Sequence, residues 1–286
     1  MFRYAQYAIE ILPLYLFIGL AKCLSFENKV KLGGYWFGFI VARSKKLRNR
    51  ILVNLKLVEE TFEVDDIEGF IKEVGVSVGK TLTELIFNKE FIESKHVIEL
   101  NSAIPEYLLS SQKSKRPIIL VSGHFGQWEA VRIILKNNGL ECGAIYRRNK
   151  NPFFESLYLK SIKLGGEPIF PAGLPGTKRM IKHLKAGGIL ALLLDQAVSD
   201  GDEFHFFGLK AKTSMVIAEL ALKYDAIVVP CYGIREPCGN SINVIFEDPI
   251  TFKDPRKIIQ TLNDSLEKRV RGSPTQWHWL HNRWKI

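Results

Sequence analysis

Between residues 28 and 90 the apolar positions fall at helical spacing. Leu32, Tyr35, Trp36, Phe39 and Ile40 form one set, Ile51, Leu52, Leu55 and Val58 a second, and Phe70, Ile71, Val74, Val78, Leu82, Leu85 and Ile86 a third. This third of the chain is predicted to be α-helical. From Arg116 onward the pattern changes to short continuous apolar runs at 118–121, 144–146, 189–194, 227–232 and 242–246, set apart by Gly-rich punctuation. Runs of that length predict strands buried on both faces. Helical stretches at about 127–136, 153–164, 178–185 and 214–223 alternate with them, which predicts crossover units and an α/β fold with a mostly parallel central sheet flanked by helices. An amphipathic stretch over 254–270 and an aromatic tail close the chain. No repeat, low-complexity segment or linker divides it, so the simplest organisation is one α/β domain over 27–286 with an α-helical N-terminal arm over 27–112.

Residues 1–26 stand apart. They are mostly apolar from Tyr4 to Phe26, with Arg3 before and Lys22 and Lys29 after the run. Gln6, Glu10 and Pro13 interrupt it, and no short apolar run ends in a small-residue cleavage site. Two readings stay open: a membrane anchor, spanning or half-inserted, and an interfacial or core helix.

A chain of 286 residues with 47% hydrophobic and 24% charged residues can bury a core without staples, which excludes collagen-like and disordered classes. Cys23, Cys142, Cys231 and Cys238 form no C-x-x-C and sit in apolar surroundings, as buried thiols of a reducing compartment do. The formal net charge of +10 points to an anionic partner: nucleic acid, an acidic membrane surface or an acidic carrier protein. The cations cluster. Arg43, Lys45, Lys46, Arg48 and Arg50 follow the apolar N-terminus, and Lys268, Arg269, Arg271, Arg283 and Lys285 lie near the end. They read either as solvated helix faces or as contacts to anionic headgroups.

The stretch IILVSGHFGQWEA, 118–130, carries the most chemistry. A buried strand is expected to end at Val121, His124 to sit in the turn, and a helix to start near Gly126 with Glu129 in its first turns. On one continuous helix an offset of five would place the two side chains about 140° apart, but a turn between them lets Glu129 reach a ring nitrogen of His124. The carboxylate would then fix the tautomer and leave the other nitrogen as a general base. A bland alternative is a turn histidine that caps the helix. Zinc fits poorly, because there is no H-E-x-x-H and His96, His183, His205, His278 and His281 supply no third ligand at ordinary spacing, so no metal site is expected. Ser122 lacks a G-x-S-x-G elbow, so the dyad would have to activate a substrate hydroxyl directly.

The arrangement HFGQWE after an apolar strand resembles the H-x4-D/E signature of the glycerolipid acyltransferases, in the form found in the bacterial lipid A biosynthesis acyltransferases. Four further segments occur in the right order: IYRRNKNP at 145–152, a basic helical stretch ending in LGG at 164–166, LLLDQ at 192–196 and FHFFGLKAKTS at 204–214. The tail PTQWHWLHNRW at 274–284 is similar to that family's closing motif. The resemblance implies a glycerolipid acyltransferase-like fold and an enzyme at the cytoplasmic face of the inner membrane. It would move a fatty acyl chain from acyl carrier protein to a hydroxyl of a lipid A precursor or similar anionic glycolipid. The carrier thioester would be co-substrate, with no cofactor. His124 would be the base and Glu129 its partner, with Asp195 and Gln196 on the same rim and Arg147 at a strand end. Lys160 or Lys163 would stand where relatives carry an arginine, as a point charge rather than a two-pronged donor. Phe206 and Phe207 either line the acyl chain or belong to the core, and Trp277, Trp279 and Trp284 either sit at a membrane interface or stack on bases. Two rival readings remain: an acyltransferase for another lipid acceptor (a glycerophospholipid, an aminolipid or a mannolipid), and a basic nucleic-acid-binding protein, which leaves the apolar N-terminus unexplained.

Overall fold

The computed structural model describes residues 2–94, 98–100, 103–111, 115–237 and 241–284; His96, Cys238 and Lys285 lie outside them. The chain opens with α1 (Phe2–Ala21); the helical arm follows with α2 (Phe26–Arg43), and continues through α3 (Lys45–Val58) and α4 (Ile67–Ile86). Ser25, Ser44 and Asp66 stand at the N-caps of α2, α3 and α4, and each accepts a backbone N–H of the first turn through its side-chain oxygen. Two short helices follow, α5 (Asn88–Glu93) and α6 (Glu106–Leu109), with β1 (Ile98–Leu100) between them.

The alternation read from the sequence is present as β2 (Ile118–Ser122), α7 (Ala130–Asn137), β3 (Cys142–Tyr146), α8 (Pro152–Leu164), β4 (Ile169–Pro171), α9 (Leu174–Lys185) and β5 (Ile189–Leu193). A hairpin of β6 (Asp202–Phe206) and β7 (Leu209–Thr213) leads to α10 (Val216–Tyr224), β8 (Ile227–Arg235), β9 (Ile242–Phe246) and α11 (Pro255–Gly272). Seven strands form one sheet in the order β1-β9-β8-β2-β5-β3-β4, parallel throughout except for the antiparallel β8–β9 pair. Its centre is β2, whose five residues are all buried. Ile119 and Val121 point into the core shared with α3, α4 and α11, while Ile118 and Leu120 point into the core under α7, so both faces are covered.

Three elements were not legible in the pattern. Strands β1 and β4 are three residues each, too short to alternate visibly. The β6–β7 turn puts a phenylalanine where glycine or asparagine is the usual signal: Phe207 has φ 55° and Gly208 φ 74°, the paired positive angles of a tight two-residue hairpin. Phe207 is held there by its backbone N–H to the Glu267 carboxylate and by its carbonyl, which accepts from Thr61 Oγ1 at 3.0 Å.

Candidate active site

Strands β2 and β5 run parallel in register, Ser122 opposite Leu193, and the Leu194 N–H extends the ladder to the Ser122 carbonyl at 3.0 Å. The two chains therefore leave the carboxyl edge of the sheet side by side, where α/β sheets place their sites. Gly123 keeps the turn close to its neighbours, since a Cβ would lie 2.7 Å from Leu266, whose side chain would have to shift, and 3.3 Å from the Asp195 carboxyl carbon. One residue on, His124 meets Asp195 twice. Its backbone N–H donates to Asp195 Oδ2 at 2.9 Å, and its Nδ1 lies 2.8 Å from Oδ1. Trp277 Nε1–H donates to Oδ2 at 3.0 Å.

Asp195 is fully buried, and burial alone would raise its pKa; the His124 ring, the two His124 hydrogen bonds and the nearby His281 outweigh this and hold it well below the usual carboxylate range. An ionised Asp195 accepts the Nδ1 proton, which leaves His124 Nε2 as an acceptor facing outward. The Gln196 amide nitrogen is 3.4 Å from that Nε2 and equally 3.4 Å from Nε2 of His281. The rings of Trp128 and His281 stand edge-on to His124 at 5.3 and 4.9 Å.

Glu129 does not occupy the place beside the ring that the sequence reading gave it. The helix starts at Ala130 rather than near Gly126, because Phe125 and Gly126 are engaged in bridges to Trp277 and Gly233. Gly126 adopts φ 55°, and a Cβ there would sit 2.1 Å from the Gly233 carbonyl. From this later start, Glu129 faces the next turn of the helix and accepts from Arg132 Nη1 at 2.6 Å. Arg132, 2% exposed, also donates to the carbonyls of Cys142 at 3.3 Å, Ile162 at 3.4 Å and Gly166. The pair thus braces the end of α8 against α7 and β3. Beneath the turn, Glu84 of α4 accepts two 2.7 Å bonds from Arg235 and one of 2.7 Å from Gln127.

The C-terminal segment is part of the site. The His278 N–H donates to the His124 carbonyl at 2.9 Å, and the Gly126 N–H to the Gln276 carbonyl at 2.9 Å. Trp277 and Trp279 are fully buried and Trp284 is 8% exposed, so none of the three is available to a membrane interface or to bases. Arg283, counted from sequence with a basic surface cluster, is also fully buried; it donates to the Lys212 carbonyl, Thr213 Oγ1 and Asn263 Oδ1. In the sequence, His278 and His281 stand out only as unsuited zinc ligands. The usable signal was the density of rings, five Trp and His side chains between 277 and 284, too much ring surface to leave in a solvated tail.

His278 and His281 differ electrostatically from an exposed imidazole. Burial, then the neighbouring His281 and His124 rings, push the His278 pKa down to about 3 against an opposing pull from Asp195. Burial, then His124, with Arg50 adding to it, push His281 down to about 4, again against Asp195. Both stay neutral when folded, whereas an unfolded chain takes up these protons near pH ~6.5. Stability should therefore be complete above about pH 6.5 and fall as pH drops, the loss ending only as pH passes about 4 for His281 and about 3 for His278. Urea midpoints between pH 7 and 5 should show this slope, and His278→Gln should flatten it. Among the described residues no group of three or more His, Cys, Asp or Glu side chains is arranged to hold a metal ion.

The remaining sequence candidates scatter. Phe206 and Phe207 are fully buried in the main core against Trp277, Trp279 and Trp284, and neither lines the apolar cavity between α1, α2, α4 and α8. Arg147 is exposed after β3. Lys163 pairs with Glu167 at 3.8 Å at the edge of the sheet, beside Arg148 and Arg179. Lys160 is exposed two residues before the buried Ile162, about 200° around α8 from it. No hydrogen bond joins Arg147, Lys160 or Lys163 to His124 or Asp195. Separately, α1, α2, α4 and α8 enclose an apolar cavity of about 310 Å³, lined by Phe17, Trp36, Phe37, Leu82, Ile86 and Tyr158 among others.

The profile of the family described as "Bacterial lipid A biosynthesis acyltransferase" matches residues 2–286. A lipid A biosynthesis acyltransferase of Haemophilus influenzae is 22% identical over 270 residues, covering 92% of this chain and 84% of that protein. A lipid A biosynthesis lauroyltransferase of Escherichia coli is 27% identical over 188 residues, covering 63% of this chain and 60% of that protein. With a paired histidine and carboxylate at the carboxyl edge of a parallel sheet, and a family match that runs from α1 to the tail, the chain belongs to the bacterial lipid A biosynthesis acyltransferases.

Proposed function

We propose that this enzyme moves a fatty acyl chain from the thioester of acyl carrier protein to a hydroxyl of a lipid A precursor or a similar anionic glycolipid, at the cytoplasmic face of the inner membrane. The observation that carries the chemistry is the His124–Asp195 pair: Nδ1 is held by a buried carboxylate and Nε2 is left as an acceptor. The acceptor hydroxyl gives its proton to His124 Nε2 as its oxygen bonds to the thioester carbonyl carbon. The carbonyl electrons move to an oxyanion; when they return, the carbon–sulfur bond breaks and the departing thiolate takes the proton from His124. Asp195 remains ionised throughout and favours the transient imidazolium. Ser122, the nearest hydroxyl in sequence, is buried and hydrogen-bonds a carbonyl at 3.4 Å, which supports direct transfer over an acyl-enzyme. Gln196, 3.4 Å from Nε2, stands where the acceptor hydroxyl would enter.

The apolar cavity supports the lipid side of this reading. Tyr158 and Ser161 of its wall lie on α8, the helix whose end the Glu129–Arg132 pair braces, so the cavity and the catalytic turn share one support. The exposed cations Arg147, Lys160 and Lys163 fit the binding of an acidic carrier or acceptor. Neutralising all three should raise KM and flatten its salt dependence while kcat stays within about threefold, since exposed charges act through a field that salt screens over ~8–10 Å. Initial rates across a salt series separate the two parameters.

The test of the proposal is incubation of the purified enzyme with acyl carrier protein thioesters and, in parallel, a lipid A precursor or a lysophospholipid, with products read by mass spectrometry. Acylation of the glycolipid is expected. Transfer only to the lysophospholipid would move the enzyme to another acceptor.

A further inference from the structure

Helix α2 has two contrasting faces. Its inner face packs on α4 through glycines: Gly34 and Gly38 on α2 meet Gly75 and Gly79 on α4, each pair spaced four apart. The backbones touch so closely that a Cβ on Gly75 would lie 2.8 Å from the Gly38 Cα. Contacts of this small-residue kind hold helices together with little help from large apolar side chains. The other face carries large apolar side chains in the open. Leu32, Tyr35, Trp36 and Phe39, at spacing i, i+3, i+4, i+7, are 43%, 65%, 39% and 56% exposed.

This face is continuous with α1, where Ile9, Leu16 and Leu20 are 71%, 59% and 75% exposed. Phe17 of α1 stacks on Trp36 of α2 at 5.3 Å and joins the two surfaces, and both rings line the apolar cavity between the helices. At the far end of α2 the surface turns basic. The Arg43 guanidinium lies over the Phe39 ring at 4.9 Å, and Lys45 and Lys46 follow, all exposed. An aromatic and aliphatic face ending in cations is complementary to an anionic bilayer, with rings at the headgroup level and cations at the phosphates.

We propose that α2 is a second membrane element, lying in the bilayer interface beside α1, so that the cavity between the two helices faces lipid. The inference rests on the membrane-bound acyltransferase reading and adds to it how the protein sits: a lipid substrate reaches the cavity sideways from the leaflet rather than through water.

The test uses the full chain with Cys23 and Cys238 replaced by serine, and an environment-sensitive fluorophore on one new cysteine at a time: Phe39→Cys, Ile9→Cys or Leu174→Cys, the last on α9 and 74% exposed. Vesicles are phosphatidylethanolamine with phosphatidylglycerol, with or without brominated acyl chains. Labels at 39 and 9 should both brighten severalfold and be quenched by bromine, while that at 174 stays unchanged. In parallel, the Tyr35→Ser, Phe39→Ser double variant should float with these vesicles about tenfold less at high salt, yet keep its activity in detergent. Quenching at 9 with 39 left in water would overturn the proposal and leave the membrane-bound reading standing; no quenching at either would overturn both. Shielding at 39 that grows with protein concentration without vesicles would mean that a second copy covers α2, and would also overturn it.

Discussion

Asp195→Asn should lower kcat by about 10²–10⁴ while the protein stays folded and KM changes little. The range is what a positioned base contributes. An asparagine can keep the space and accept from the His124 N–H or from Trp277 Nε1–H, which now bond the carboxylate at 2.9 and 3.0 Å. It cannot offset the charge of an imidazolium, and its amide can turn a donor toward Nδ1 and force the wrong tautomer. Steady-state rates with an acyl carrier protein thioester measure the loss, and a thermal melt guards against misfolding. A variant with near-normal kcat would mean that Asp195 only ties down the turn.

Glu129→Ala should fail differently. It removes the carboxylate 2.6 Å from a guanidinium that is 2% exposed, leaving Arg132 buried with only carbonyl partners. Breaking a buried pair from one side costs about 3–5 kcal/mol, whereas removing both charges can be nearly neutral. The single variant should therefore unfold at lower denaturant, and the Glu129→Ala, Arg132→Met double variant should recover much of that loss. If Glu129 were the partner of His124, the double variant would regain stability without any activity. The bracing role instead predicts that kcat per folded molecule falls far less than in Asp195→Asn. Equilibrium unfolding together with single-turnover rates distinguishes the two.

The architecture was legible where burial writes a simple pattern. Strand β2 reads IILVS because both faces are covered, and the helices around it read at helical spacing because one stripe of each is buried. The place of His124 was legible too, in a turn just beyond a buried strand at the carboxyl edge of the sheet. Its partner was assigned to the wrong carboxylate for a physical reason. A spacing of five within one segment looks closer than a spacing of 71, yet β2 and β5 are neighbours and their ends bring His124 and Asp195 to 2.8 Å. Strand order is a property of the whole sheet that no local pattern contains. The tail was misread because tryptophan and arginine carry surface and core meanings alike; what decides is that Trp277 reaches Asp195 and Arg283 finds acceptors inside.

In the proposed mechanism His124, oriented by Asp195, takes the proton of the acceptor hydroxyl. The most direct measurement is the single-turnover rate of acyl transfer to a lipid A precursor by purified His124→Ala, at saturating acyl carrier protein thioester and with the melt of the wild-type protein confirmed. A loss of about 10²–10⁴ is expected, with thioester binding retained. Transfer at a rate near that of the wild type would contradict it.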